Sequence, residues 1–293
     1  MQTTLLPQAS VLKVRAIEMR AIVNVASVRH VSPFRYPGGK TWLVPRVLHW
    51  LRGFKKRPEF LVDPFFGGGS VPLTALVEGL VERIVVSEID EDVAAVWICA
   101  FGEDNAQLCR RILEFKMDRE NVVEELTRQT EGTTARAFKT ILRNRTFRGG
   151  ILASGASLMN VGENGRGVAS RWYPETLVRR LKLLAEFRAK VDFSHIDGFD
   201  LIGHWSADSA AAFFLDPPYT IGSGAGKRLY RHSELDHERL FRMMSTADAP
   251  FMMTYDESPE VMELAERHGF DLERVPMKNT HHDCKCELII RPS

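Results

Sequence analysis

Four consecutive residues, Asp216-Pro217-Pro218-Tyr219, have the types and spacing of a small binding site. The apolar run Ala212-Phe213-Phe214-Leu215 ahead of them reads as a buried strand. It delivers the acid to its carboxyl end, where ligands bind in open α/β sheets. Two prolines fix φ and offer no N–H, so neighbouring carbonyls stay available as acceptors. A carboxylate beside a rigid carbonyl can accept both hydrogens of an amino group. Tyr219 adds a flat face of the kind on which bases stack, worth ~1–3 kcal/mol per base.

A second constellation is Asp63-Pro64-Phe65-Phe66-Gly67-Gly68-Gly69-Ser70, which follows the apolar run Phe60-Leu61-Val62. Glycines after a strand let the backbone approach a ligand closely. In many proteins such a loop cradles phosphate at a helix N-terminus. An acid at position 63 is poorly placed for a phosphate and suits a cationic or hydrogen-bond-donating ligand. Glu88, after Arg83-Ile84-Val85-Val86, is placed to accept from ribose hydroxyls. A third stretch, Phe34-Arg35-Tyr36-Pro37-Gly38-Gly39-Lys40, joins an aromatic ring, a Gly-Gly turn and a lysine able to pair with a carboxylate.

These pieces require strands that end at one edge. Residues 60–62, 83–86, 191–193, 211–215 and 251–254 read as strands, and residues 71–80 as a helix capped by Ser70. Residues 90–101 read as the next helix. Residues 274–276 and 286–290 suggest a terminal hairpin. The expected class is α/β, a Rossmann-like doubly wound sheet with a C-terminal antiparallel hairpin. Between residues 102 and 190 the pattern changes to helices at 106–130, 134–143 and 174–190 around a glycine-rich stretch at 149–167. The expected organisation is an extension (1–31), a core (32–101 and 191–293) and an inserted, mostly helical domain (102–190). Met19 is an alternative start within the extension.

Composition bounds the function. Hydrophobic residues make up 44% and charged residues 26%, ordinary for a globular protein. No apolar run approaches the ~18 residues of a membrane span. Four cysteines in 293 residues are too few for a disulfide framework and fit a reducing cytoplasm. Cys284 and Cys286 lie beside His281, His282 and Asp283, but one six-residue stretch lacks the two separated pairs of a structural zinc site. It reads as an edge strand, and no metal is expected. The formal net charge is only +1, yet residues 134–190 hold twelve Lys/Arg against three Glu. That segment has the footprint of a polyanion-binding surface.

The ordered set of residues 35–40, 63–70, 87–90, Asp197, 216–219, 255–258 and 286–290 resembles the Dam-like (D12 class, alpha group) DNA adenine-N6 methyltransferases, from about Ser32 to the C-terminus. The resemblance implies S-adenosyl-L-methionine as cofactor and double-stranded DNA as partner. It implies that Tyr36, Gly38, Gly39, Lys40, Asp63, Phe65 and Gly67 contact the cofactor, with Lys40 near its carboxylate. Glu88 would meet the ribose and Ile89 the adenine. Asp197 would lie near the cofactor's adenine amino group, with Asp200 as the fallback. Asp216, Pro217, Pro218 and Tyr219 would hold the extruded target adenine. Residues 102–190 would read DNA through Arg143, Arg145 and Arg148.

Residues 220–240 follow directly. With Gly222, Gly224 and Gly226 they are expected to form a loop that orders on DNA, Lys227 and Arg228 near phosphates and Tyr230 near the displaced base. The stretch 143–150 departs from the recognition hairpin of GATC-reading members, so the reading carries the activity and not that specificity. A monomer is expected, with room for a partner restriction nuclease. The alternatives are a nicotinamide-dependent oxidoreductase, which leaves residues 216–219 unexplained, and a non-catalytic DNA-binding module, which has no need of them. Cytosine-N4 or RNA-adenine methylation uses the same physics in a different pocket.

Overall fold

The computed structural model describes residues 28–35, 40–152, 155–219, 234–278 and 284–293. At its centre are β1 (Phe60–Asp63), β2 (Arg83–Ser87), β3 (Val191–Ser194), β4 (Ala211–Leu215), β5 (Phe251–Asp256), β6 (Phe270–Lys278) and β7 (Cys284–Pro292). They form one seven-stranded sheet in the order β3-β2-β1-β4-β5-β7-β6. The first five strands pair in parallel, and β7 enters antiparallel between β5 and β6. The C-terminal hairpin of the sequence reading is therefore present. However, β7 is an interior strand rather than an edge. The edge strand is β6, which tolerates Pro276 because an edge residue can lack a ladder N–H.

The helices are α1 (Val44–Arg52), α2 (Ser70–Val77), α3 (Glu91–Phe101), α4 (Asn105–Glu114), α5 (Arg119–Thr127), α6 (Thr133–Thr146), α7 (Pro174–Glu186), α8 (Gly198–Trp205), α9 (His237–Ser245) and α10 (Pro259–Arg267). Side chains alternate across the strands as the pleat demands. Leu61, Ile84, Val86, Phe214 and Met252 face a core shared with α1 to α3. Val62, Val85, Phe213, Leu215 and Met253 face a second core under α8 to α10. Both faces are covered, which is why these strands read as continuous apolar runs.

Three local expectations differ from the structure. Ser70 is the first residue of α2; its N-cap is Gly69, at φ 63°, and no side chain caps it. The helical reading of 106–130 is broken into α4 and α5, because the Asp118 side chain accepts from the Asn121 N–H and starts a new helix. The segment between α3 and β3 has no core of its own. Leu108, Val122, Phe138, Ile141 and Leu177 belong to the same cluster as Leu61 and Trp97. Val28 and Val31, from the end of the extension, are buried in it too.

The parallel order puts the carboxyl ends of β1, β2 and β4 side by side. Chain connections depart to opposite sides between β1 and β4, and this switch point is where a crevice opens. Gly69 allows the loop after β1 to turn there: an added Cβ would stand 2.7 Å from the Phe66 ring, at a backbone angle that L side chains rarely adopt. We expect Gly69→Ala to destabilise the protein by about 1–3 kcal/mol, read as a lower urea midpoint with unchanged slope.

Candidate active site

The loop after β1 is bound to the end of β2 on several sides. Phe66 N–H donates to the Ser87 carbonyl at 3.0 Å, and Ser87 Oγ donates to the Pro64 carbonyl at 3.0 Å. Trp97 Nε1 donates to the Gly67 carbonyl at 3.0 Å, its ring packed 4.6 Å from Phe66. Gly67 N–H donates to Glu88 Oε2 at 2.9 Å, while Asp90 N–H donates to Glu88 Oε1 at 2.8 Å. Glu88 thus joins the glycine loop to the start of α3. The loop also touches α8, since a Cβ on Gly198 would fall 2.6 Å from the Pro64 carbonyl oxygen.

These elements border an open cleft lined by Lys40, Asp63, Phe65, Glu88, Asp197 and Asp216, among others. Gly67 and Ile89 also line it, and Ile89 is 43% exposed, an apolar surface at the cleft mouth. Asp197 caps α8, accepting from Phe199 N–H at 2.8 Å, and lines the cleft. Asp200 lies one turn on, is exposed and is outside that lining.

Asp63 is 2% exposed and accepts from Phe65 N–H at 3.0 Å. No cation pairs with it among the described residues. Burial pushes its carboxyl well above the usual range; the Phe65 N–H opposes this, and the charges of Asp216 and Glu88 reinforce it. Glu88 rises from 4.5 to about 7, chiefly by burial, against the two N–H donors. A buried acid without a counter-cation and a second acid of raised pKa make this end of the cleft receptive to a positively charged ligand.

The other end is neutralised from within. Lys40 is 4% exposed; its Nζ lies 2.8 Å from Glu287 Oε2, 3.5 Å from Asp216 Oδ1 and 4.4 Å from the centre of the Tyr219 ring. Burial disfavours the ammonium, but Asp216 and Glu287 outweigh it and its pKa rises. Burial lifts Glu287 to about 7 despite Lys40. We assign the ammonium as charged, because Asp216, Glu287 and, further off, Asp256 favour it. Asp216 Oδ1 accepts from Tyr219 Oη at 2.7 Å and from Thr254 Oγ1 at 2.9 Å. Its Oδ2 has no hydrogen bond among the described residues. Tyr219 stacks on Tyr255 with ring centres 5.4 Å apart, and Tyr255 Oη shares a 2.7 Å hydrogen bond with His237 Nδ1. Burial, then Asp216 and Glu287, hold the Tyr219 phenol neutral.

Several expected site residues therefore converge: Lys40, Asp63, Phe65, Gly67, Glu88, Ile89, Asp197, Asp216 and Pro218 meet at one cleft. Pro217 is buried behind it, and Tyr219 is turned inward on Lys40, Thr254 and Tyr255. Tyr36, Gly38, Gly39, Lys227, Arg228 and Tyr230 lie outside the described residues. The three arginines separate. Arg148 is exposed. Arg143 lies 3.4 Å from Asp92 Oδ2 and donates to the Leu152 carbonyl at 3.0 Å. Arg145 is 5% exposed and donates through Nη2 to the Pro33 carbonyl. Arg145, expected to contact DNA, is thus held inside the fold. The signal was available: with Phe138, Ile141 and Leu142 it completes an i, i+3, i+4, i+7 stripe on α6.

Glu287, Thr254 and Tyr255 were not selected from the sequence as site residues. Glu287 lay within a noted motif, and only its pairing with Asp256 across β5 and β7 reveals its proximity to Asp216. Among the described residues, no three His, Cys, Asp or Glu side chains gather to hold a metal ion, and no helix is long and apolar enough to cross a membrane. His281, His282 and Asp283 lie outside those residues.

The strand order, the antiparallel β7 and the acids at the ends of β1, β2 and β4 define a Rossmann-like methyltransferase fold. The chain belongs to the D12 class N6 adenine-specific DNA methyltransferase family, whose sequence pattern it matches over residues 36–279. No curated protein matches it. Among solved structures, a Pyrococcus horikoshii protein assigned as an RNA methyltransferase is 11% identical, with 91% of this chain and 92% of that one covered and a TM-score of 0.39. The rRNA methyltransferase aviRa from Streptomyces viridochromogenes is 16% identical, with 86% and 82% covered and a TM-score of 0.38. A precorrin-6y C5,15-methyltransferase from Geobacter metallireducens is 12% identical, with 87% and 90% covered and a TM-score of 0.37.

The raised pKa of Glu88 has a defined effect on stability. The fold favours its protonated form, so the contribution is full below 4.5 and is lost as pH rises through about 7. At about 1.4 kcal/mol per unit, this is on the order of 3 kcal/mol. Thermal unfolding of the ligand-free protein from pH 5 to 8 should show a shallower decline in Glu88→Gln than in the wild type, even where the variant is less stable throughout. Equal slopes would contradict the assignment.

Proposed function

We propose that this protein transfers a methyl group from S-adenosyl-L-methionine to N6 of adenine in double-stranded DNA, after the base is extruded from the duplex. The observation that carries the reading is the state of Asp216. Its Oδ1 is held by Tyr219 and Thr254 beside Lys40, while Oδ2 has no partner among the described residues at a cleft it lines.

The residues present fit the cofactor. Asp63, buried and without a counter-cation among the described residues, suits a ligand bearing an ammonium and a sulfonium. Glu88 retains lone pairs for ribose hydroxyls beyond the two N–H groups it already accepts. Ile89 and Phe65 supply apolar walls for an adenine ring. The cofactor supplies an electrophilic methyl group on a sulfonium. Of the remaining expected contacts, Tyr36, Gly38 and Gly39 belong to the proposal on family resemblance alone, and Lys40 would act near the cofactor carboxylate from within its ion cluster.

For the target base, Asp216 Oδ2 and the Pro217 carbonyl would accept the two N6 hydrogens and turn the nitrogen lone pair towards the methyl group. Methyl transfer would form the carbon–nitrogen bond as the carbon–sulfur bond breaks, and the proton lost from N6 would pass by way of Asp216 Oδ2 to solvent. The chain's contribution is positioning, for which ~7–11 kcal/mol is available from well-oriented reactants. Extruding a base costs a few kcal/mol, offset by contacts in the pocket. Tyr219 would have to leave its place between Lys40 and Tyr255 to stack on the base. Residues 102–190 would form the target-recognition region, with Arg148 exposed for phosphate contact. Residues 220–240 would order on DNA, with Lys227 and Arg228 near phosphates and Tyr230 near the displaced base.

Incubation of duplex DNA with labelled S-adenosylmethionine, followed by digestion to nucleosides, should give N6-methyladenine. N4-methylcytosine, or labelling of RNA alone, would overturn the acceptor. Asp216→Ala should lower methylation at least ~10³-fold while leaving cofactor binding within severalfold, since the lost contacts act on the base. Turnover equal to wild type would sink the assignment. Cofactor binding should release protons to the buffer, because a cation beside Asp63 draws its raised pKa down; calorimetry in buffers of different ionisation enthalpy reads this directly.

A further inference from the structure

A second pocket, of about 520 Å³, lies on the opposite side of Ser70 from the cleft, and Ser70 lines both. Its described wall contains no carboxylate. It contains Arg29, His30, Arg35, Arg145 and Arg180, with hydroxyl donors from Thr41 and Thr176. Arg145 is the buried member. Its Nη2 is committed to the Pro33 carbonyl, but its Nε has no hydrogen-bond partner among the described residues. Arg180 donates from Nη1 to the Ser32 carbonyl at 3.0 Å. A buried guanidinium with an unsatisfied N–H among further cations is costly by itself. Burial first, then Arg180, Arg35 and Arg171, depress the Arg145 pKa to about 9, and burial with Arg180 and Arg35 also lowers that of His30. Such an arrangement is relieved by an anion that accepts from several donors at once.

We infer that this pocket binds a tetrahedral oxyanion of the phosphate class, with Arg145 and Arg180 as principal donors. Arginine suits this ligand because its planar fork presents paired N–H groups to two oxygens. The oxyanion is either free, as inorganic phosphate or a nucleotide phosphate, or a backbone phosphate of bound nucleic acid. Gly149 and Tyr173, from the segment between α3 and β3, line the same pocket, so the anion would join that segment to the residues preceding α1.

The test compares wild type with Arg145→Gln, Arg180→Gln and Arg29→Gln. Thermal unfolding is measured in inorganic phosphate against chloride at equal ionic strength, and binding of a DNA duplex is measured by anisotropy across a salt series. S-adenosylmethionine binding serves as the check that each variant is folded. A free-oxyanion site predicts that phosphate raises the wild-type Tm by about 2 °C or more and that Arg180→Gln loses most of the shift. A backbone-phosphate site predicts little effect of inorganic phosphate, a roughly five- to tenfold loss of duplex affinity in Arg180→Gln, and a salt slope smaller by about one. The inference is overturned if phosphate does not stabilise the wild type and the duplex salt slope is the same in every folded variant. Arg29→Gln, at an exposed position, keeps this outcome readable should the buried substitutions prevent folding. The phosphate arm does not depend on the methyl acceptor. Absence of any duplex binding by the wild type would remove the DNA reading and leave the phosphate arm to decide.

Discussion

One ammonium group organises the reactive end of this molecule. Lys40 Nζ, almost wholly buried, is shared by Glu287 from β7, Asp216 from the end of β4 and the ring of Tyr219. Two carboxylates held this close in a poorly solvated place repel each other unless a cation stands between them. The lysine removes that repulsion and fixes the tetrapeptide in one arrangement. Removing one partner of such a buried set leaves an uncompensated charge, a loss of about 3–5 kcal/mol in comparable pairs. The orientation of Asp216 therefore depends on a residue far back along the chain and on another near its end.

The cleft is electrostatically divided as a result. At the Asp216 end the protein supplies its own cation, Lys40. At the Asp63 end it does not: Asp63 and Glu88 are buried, acidic and raised in pKa, and no cation among the described residues answers them. A site built in this way favours a ligand that brings positive charge to one end and hydrogen-bond donors to the other. The second pocket inverts the pattern: cationic side chains line it, and Arg145 Nε has no hydrogen-bond partner among the described residues. Two adjoining sites of opposite character share Ser70.

The sheet makes this possible because parallel strands end together. Asp63, Glu88 and Asp216 reach one edge only because β1, β2 and β4 are neighbours running the same way. Apolar residues of the helical segment before β3 share the core beneath α3. A change in packing there would reach Trp97, and through its hydrogen bond to the Gly67 carbonyl it would reach the glycine loop.

Features written in short stretches of sequence were legible before the structure. An apolar run closed by an acid announces a strand end, and a glycine cluster announces the turn, because both depend on a few consecutive backbone angles and on burial. The strands ending near Asp63, Glu88 and Asp216, the helical segment before β3 and the terminal hairpin were all read in that way. Which side chains meet was not legible. Lys40 and Glu287 are 247 residues apart, and only the insertion of β7 between β5 and β6 brings them together. Arg145 looked like a surface cation until the stripe it shares with Phe138 and Ile141 was packed against the core. Tyr219 was expected to present its face to a base, and packing instead placed it between Lys40 and Tyr255. Local sequence determined the elements and the acids at their ends, since those follow from near-neighbour sterics and hydrophobic periodicity. Tertiary structure alone decided the partners of each charge, because desolvation and pairing arise only when distant segments close around the same small volume.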